Sequence, residues 1–309
     1  LVDTDLEQTC GYGLDPYCLA AADLIRDLCA APEADVHFLV GGTQTNLVTI
    51  AATLEPYEAV IAAQTGHVNT HETGAIECTG HKVCTAVAPD GKLTPALVED
   101  VLAGHNGTEH MVLPRLVYIS DTTEVGTIYT RKELEALRRC CDDHGLFLFL
   151  DGARLGSALT AQGNDLDLPA LAALTDAFYI GGTKNGALFG EALVLTRPNA
   201  HFRWYMKQRG AILAKGRLLG VQFQALLEDG LYFDIARHAN AMAIKLRDGI
   251  AAMGYPFPVV SPSNQQFPVL PNETIRKLQD MGYGFESDHP VDPDHTCIRL
   301  VTSWSTPEN

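Results

Sequence analysis

Leu146-Phe147-Leu148-Phe149-Leu150-Asp151-Gly152-Ala153-Arg154 decides the fold. Five apolar residues in a row, bounded by Gly145 and by Asp151-Gly152, do not alternate as a half-exposed strand would. They read as a strand buried on both faces, the mark of a parallel sheet covered by helices. Outward from it, further strands are expected at Val36–Val40, Ala59–Ala62, Lys82–Val87, Leu116–Ser120, Asp176–Ile180 and Ala192–Leu195. Helical spacing begins near Gln44 and covers Pro95–Ala103 and Arg131–His144. Strands alternating with helices predict an α/β fold with a mostly parallel sheet.

From about 199 to 252 the pattern is mostly helical, with a break near Glu228–Gly230. Beyond it, short strands are expected around Phe257–Val260, Gln265–Val269 and Thr296–Val301, punctuated by Pro256, Pro258, Pro262, Pro268 and Pro271. The division expected is a large domain, 1–235, and a smaller C-terminal α+β domain, 236–309. No repeat or low-complexity segment interrupts them. The opening residues are polar with no evident first element, and the last follow directly on a strand. Terminal residues of the natural protein are therefore expected beyond both ends.

The 309 residues, 46% hydrophobic, can bury a large core. A net charge of −16, from 22 basic and 38 acidic residues, argues against nucleic acid or an anionic membrane as partner. No apolar run has the length of a bilayer span, and no charged-then-apolar leader is present. The eight cysteines are scattered without a C-x-x-C pair. Free thiols acting as small hydrophobes in a reducing, cytoplasmic setting are expected.

Ligands of open parallel sheets bind beyond the carboxyl ends of the strands. Four such ends carry chemistry here: Gly41-Gly42-Thr43-Gln44, Asp121-Thr122-Thr123-Glu124, Asp151-Gly152-Ala153-Arg154 and Gly181-Gly182-Thr183-Lys184. A Gly-Gly-Thr turn opening a helix suits an anion, because the backbone can approach closely and the helix N-terminus offers free N–H groups. It is neither G-x-G-x-x-G nor a P-loop, which disfavours a nucleotide. Asp151 could cap a helix or pair with a protonated ring nitrogen. Lys184 is either a solvated loop lysine or, enclosed by apolar and small residues, an amine nucleophile of lowered pKa.

Phosphate turn, carboxylate and lysine, in that order at successive sheet ends, resemble fold-type I enzymes that use pyridoxal 5′-phosphate (PLP). Within that class the chain resembles the L-threonine aldolase and β-eliminating lyase family. The resemblance rests on Tyr12-Gly13-Leu14-Asp15-Pro16, Gly41-Gly42-Thr43, His67 with Glu72-Thr73-Gly74, Asp151-Gly152-Ala153-Arg154-Leu155, Gly182-Thr183-Lys184 and Ile298-Arg299-Leu300-Val301-Thr302. It implies an aspartate aminotransferase-like fold and the cleavage of L-threonine, or a related β-hydroxy-α-amino acid, to glycine and an aldehyde. Lys184 would bind PLP as a Schiff base, Asp151 would pair with its ring nitrogen, and Gly42 and Thr43 would hold its phosphate. His67 would stack on the ring and serve as base. Arg154, counted also among the cofactor contacts, would grip the substrate carboxylate with Arg299. Tyr12 would reach a substrate site, that of a neighbouring subunit included, in a homo-oligomer described as a dimer of dimers.

One departure concerns the segment after Ser120, where members of this family commonly carry a histidine. Here stand Thr122, Thr123 and Glu124. Glu124 is read as a substrate contact, an acid or base, or a turn cap. Lys215 and Arg217 are read either as phosphate supports across a subunit contact or as solvated helix charges. His67 and His71 have the four-residue spacing of helical metal ligands, but Gly66 and Asn69 disfavour a helix, and no metal is expected. Two other readings remain: a PLP-dependent β-eliminating lyase with the same site, and a catalytically inactive relative serving as a binding subunit.

Overall fold

The computed structural model describes residues 1–308. Seven strands form the main sheet: β1 (Asp35–Leu39), β2 (Glu58–Ala63), β3 (Val83–Ala86), β4 (Leu113–Ser120), β5 (Phe147–Asp151), β6 (Ala177–Gly181) and β7 (Glu191–Leu195). Their order is β1-β7-β6-β5-β4-β2-β3. The β3–β2, β2–β4, β4–β5 and β5–β6 pairs are parallel, and β7 runs against both of its neighbours. The sheet is thus mostly parallel, as the apolar run at 146–150 predicts.

Among the described residues there are also ten longer α-helices, one short α-helical turn and two 3-10 turns, at Val2–Thr4 and Glu77–Thr79. The α-helical elements are α1 (Pro16–Leu28), α2 (Gly42–Thr53), α3 (His67–Thr70), α4 (Pro95–Ala103), α5 (Arg131–His144), α6 (Leu155–Thr160), α7 (Leu168–Leu174), α8 (Phe202–Gln208), α9 (Arg217–Leu227), α10 (Leu231–Ala252) and α11 (Asn272–Asp280). Side chains alternate along the strands and feed two cores. Val117, Ile119, Leu148, Leu150, Phe178 and Ile180 face one layer, with α5, α7 and α9. Leu116, Tyr118, Phe149 and Tyr179 face the other, with Val48 and Ile50 of α2 and Phe202 and Met206 of α8. Leu148, Phe149 and Leu150 are wholly buried, and each contributes roughly 1.5–3 kcal/mol of transfer free energy.

The opening segment, which gave no first element in the sequence, forms α1. Asp15 caps it by accepting from the Cys18 backbone N–H at 2.9 Å, and Pro16 follows as its first residue. Gly220 lets α9 lie against α1, since a Cβ there would run into the Cys18 backbone.

In the C-terminal part, β11 (His295–Val301) is the spine of a small antiparallel sheet with β8 (Gln265–Gln266), β9 (Val269–Pro271) and β10 (Glu286–Pro290). The strand expected at Phe257–Val260 is irregular chain instead; Pro256 and Pro258 remove the donors a ladder needs. The strand expected over Gln265–Val269 is split in two around Phe267-Pro268. Residue 236 lies inside α10, which packs against α6 and α9.

Candidate active site

The alternation that builds the two cores also builds the site. Tyr118, Asp151 and Tyr179 project from the same side of β4, β5 and β6, toward α2. The Tyr118 hydroxyl donates to Asp151 Oδ2 at 2.5 Å, and the Tyr179 hydroxyl donates to Oδ1. Asn46, on α2, donates to Oδ2 at 2.9 Å, and the Ala153 N–H donates to Oδ1 at 2.9 Å. Four donors thus hold one buried carboxylate in a fixed place. Burial, followed by the charge of Asp151, pushes both phenols well above their usual pKa, so they stay donors.

Asn46 also donates to Glu72 Oε1 at 2.7 Å. The same oxygen lies 2.7 Å from His67 Nδ1. Glu72 is buried and His67 partly so, and their contact fixes the imidazole orientation. Burial alone would lower the pKa of His67. The hydrogen bond to Glu72, then the charges of Asp151 and Glu72, overcome it, and the net shift is upward. Glu124 Oε1 accepts from the Ser120 hydroxyl at 2.7 Å and from the His67 backbone N–H at 2.9 Å. The carboxylate in the segment after Ser120 therefore braces the turn that carries His67. Burial raises its pKa.

Lys184 sits in the connection between β6 and β7. Its neighbours are pinned on both sides: Gly190 N–H donates to Thr183 Oγ1 at 2.9 Å, and Asn185 Nδ2 donates to the Tyr232 carbonyl at 2.7 Å. Buried Glu191 accepts from the Gly182 N–H at 3.0 Å, and burial pushes its pKa up to about 7. Lys184 is exposed to solvent within the cavity. Desolvation by the surrounding protein, and next the charge of Arg154, lowers its pKa. An amine so placed is a better nucleophile at neutral pH.

His67, Glu124, Asp151, Tyr179, Lys184 and Glu191 line one cavity of about 470 Å³ with Gly42, Thr43, His71, Thr122, Arg154, Glu286 and Arg299. Gly42 and Thr43 open α2, where the first N–H groups lack helical partners and attract an anion. Burial and then Arg299 depress Arg154 to about 10, which leaves it charged at neutral pH. Its Nε is buried without a partner. The set fits a ligand with a phosphate at one end, a protonatable ring nitrogen for Asp151 and a carbonyl for Lys184.

Lys184, Asp151, His67, Gly42, Thr43, Arg154, Glu124 and Arg299 thus come together. Tyr12 does not line this cavity: its N–H donates to the Ala214 carbonyl at 3.3 Å and Lys207 Nζ lies 5.2 Å from its ring centroid. Arg217 donates to Thr4 Oγ1 at 2.7 Å and ties down the N-terminal segment. His67 and His71 stand on a single turn with ring centroids 5.5 Å apart. Asn46, Tyr118, Tyr179, Glu191 and Glu286 were not singled out from sequence. Tyr118 and Tyr179 had a signal: each lies two residues before the end of its strand, on the face that Asp151 shares.

A family model described as beta-eliminating lyase matches residues 6–272. A low specificity L-threonine aldolase of a Pseudomonas species is 34% identical over 96% of this chain and 86% of its own length. A solved threonine aldolase from Leishmania major is 51% identical, covers 99% of this chain and 90% of its own, and superposes with a TM-score of 0.97. Serine palmitoyltransferase from Sphingomonas wittichii shares the fold at 15% identity, covering 99% of this chain and 77% of its own with a TM-score of 0.71.

Proposed function

The chain belongs to the beta-eliminating lyase family, and on that premise we propose that it is a PLP-dependent aldolase cleaving L-threonine, or a related β-hydroxy-α-amino acid, to glycine and an aldehyde. The observation that carries the reading is Lys184, at a strand end and of lowered pKa, facing one cavity with Asp151 and the two arginines. When bound, PLP supplies an electron sink for the pair released as the Cα–Cβ bond breaks.

The chain's own residues do the rest. Lys184 would be the covalent attachment point for the cofactor's carbonyl carbon. Asp151, fixed by four donors, would keep the ring nitrogen protonated. Gly42 and Thr43 would hold the phosphate. Arg154 and Arg299 grip the α-carboxylate with guanidinium forks suited to a planar anion. That grip sets the Cα–Cβ bond at the angle cleavage needs. His67, oriented through Nδ1 by Glu72, offers Nε2 to take the β-hydroxyl proton. Glu124 acts by positioning His67. The aldehyde leaves, and a proton delivered to Cα completes glycine.

The reading includes a cytoplasmic setting and a homo-oligomer. Eight free thiols, six of them buried, suit a reducing compartment. Among the described residues no helix is long and apolar enough to cross a membrane. Exposed Trp204 and Leu14 supply an apolar contact face. The boundary between a large cofactor domain and a small domain is placed near 235, early in α10.

Incubation of the holoenzyme with L-threonine is expected to release glycine and acetaldehyde in equal amounts. Serine and aromatic amino acids are expected to yield little pyruvate. Pyruvate as the dominant product would assign β-elimination instead. No turnover on any β-hydroxy amino acid, with PLP bound, would assign a binding role.

A further inference from the structure

Two arginines face the cavity, and their states differ. The Arg154 side chain has no hydrogen-bonded partner among the described residues, and its Nε is buried and unpaired. Arg299, whose Nε is also buried and unpaired, gives its Nη2 to the carboxylate of Glu286. Glu286 and Arg299 are register partners across the β10–β11 ladder, so their side chains share the face that closes the cavity. Glu286 is thus an anion already seated on a cation that the proposed function assigns to the substrate.

The geometry points to Glu286 as a surrogate for the substrate's α-carboxylate, holding Arg299 until the amino acid displaces it. The inference rests on the carboxylate clamp of Arg154 and Arg299. Two features make the surrogate displaceable. The Glu286 side chain is 69% exposed, so release costs it little hydration. An exposed ion pair of this kind is weak. The substrate carboxylate, by contrast, bridges two guanidinium groups in a more enclosed place. Glu286 therefore sets a threshold: an amine without an α-carboxylate cannot free Arg299. Its charge also disfavours substrates with a second carboxylate at the entrance, where like charges would meet.

Glu286→Gln keeps the size and hydrogen-bonding capacity of the side chain and removes its charge. Glycine titrated against the holoenzyme, followed by the cofactor's visible spectrum, is expected to bind about two- to fivefold more tightly in this variant. KM for L-threonine should fall in parallel, with kcat within about twofold and an unchanged melting midpoint. In an Arg299→Ala background the same substitution should have no effect on glycine affinity. A merely structural role for Glu286 predicts weaker or unchanged binding with a lower melting midpoint, and that result would overturn the proposal. So would a gain that persists without Arg299. If Arg299→Ala alone leaves glycine affinity at the native value, the clamp itself is wrong, and the surrogate falls with it. If Arg299→Ala weakens binding while Glu286→Gln changes nothing, only the surrogate fails.

Discussion

Single side chains divide between those that do chemistry and those that hold them, and the two kinds fail differently. Lys184 belongs to the first. Lys184→Ala is expected to abolish turnover and to leave no cofactor fixed to protein after borohydride reduction. Retained activity would remove it from the mechanism. Glu72 belongs to the second, because it acts through His67. Its hydrogen bond and charge raise the His67 pKa against burial. A base must be neutral to work, so activity should rise with pH as His67 loses its proton. Glu72→Gln removes the anion and lowers that pKa, which moves the acidic limb of the kcat profile to lower pH. The plateau should fall roughly tenfold or more, because the ring loses its fixed orientation. A limb that stays in place would separate Glu72 from His67. The sequence exposes this layer unevenly. Glu72 stood in a recognisable run behind His67, whereas Asn46, which bridges Glu72 and Asp151, lies inside an apolar helix with nothing local to mark it.

At the scale of elements, what was legible is what local physics alone decides. The bounds expected for α4 and α5 match the structure, because Thr94 and Thr130 cap them and Gly104 and Gly145 follow them. Thr130 forms a reciprocal capping box with Glu133. Thr130→Ala should cost about 1 kcal/mol in chemical denaturation and leave KM unchanged. The buried strands were legible because both of their faces are apolar. β10 was not: all five of its residues are exposed, and only pairing with β11 makes it a strand. The Phe257–Val260 error has the opposite cause, apolar residues whose prolines deny them a partner. Close approaches were equally hidden. Gly152 sits where a Cβ would strike the Tyr179 carbonyl oxygen. Gly152→Ala must therefore push apart the ends of β5 and β6 that place Asp151 and Lys184. A loss of about 3 kcal/mol or more is expected, with weakened PLP retention. Native PLP affinity in that variant would show that the two strand ends need not stay in register.

At the scale of the molecule, the cavity joins the large sheet to the small one, and an exposed apolar face lies outside it. Trp204 is 70% exposed, and Leu14 and Tyr12 are 55% and 50% exposed. Arg203, next to Trp204, donates to the Tyr12 carbonyl at 3.0 Å, which brings the α8 and Tyr12 segments together. Tyr12 itself holds a left-handed backbone, φ 66°, which a side chain of its size adopts only at a cost. A strained, outward-turned aromatic that misses its own cavity is explained if it completes a neighbour's. The holoenzyme is then expected to sediment as a dimer or larger. Trp204→Glu, which buries a charge in that contact, should shift it toward monomer and lower kcat/KM more than tenfold, because each cavity loses the partner's Tyr12. Tyr12→Ala should lower kcat/KM while leaving the sedimentation unchanged, since its loss empties the neighbouring site without breaking the contact. A native protein that sediments as a fully active monomer would return Tyr12 to a purely local role, and the strain at φ 66° would then serve only the turn into α1.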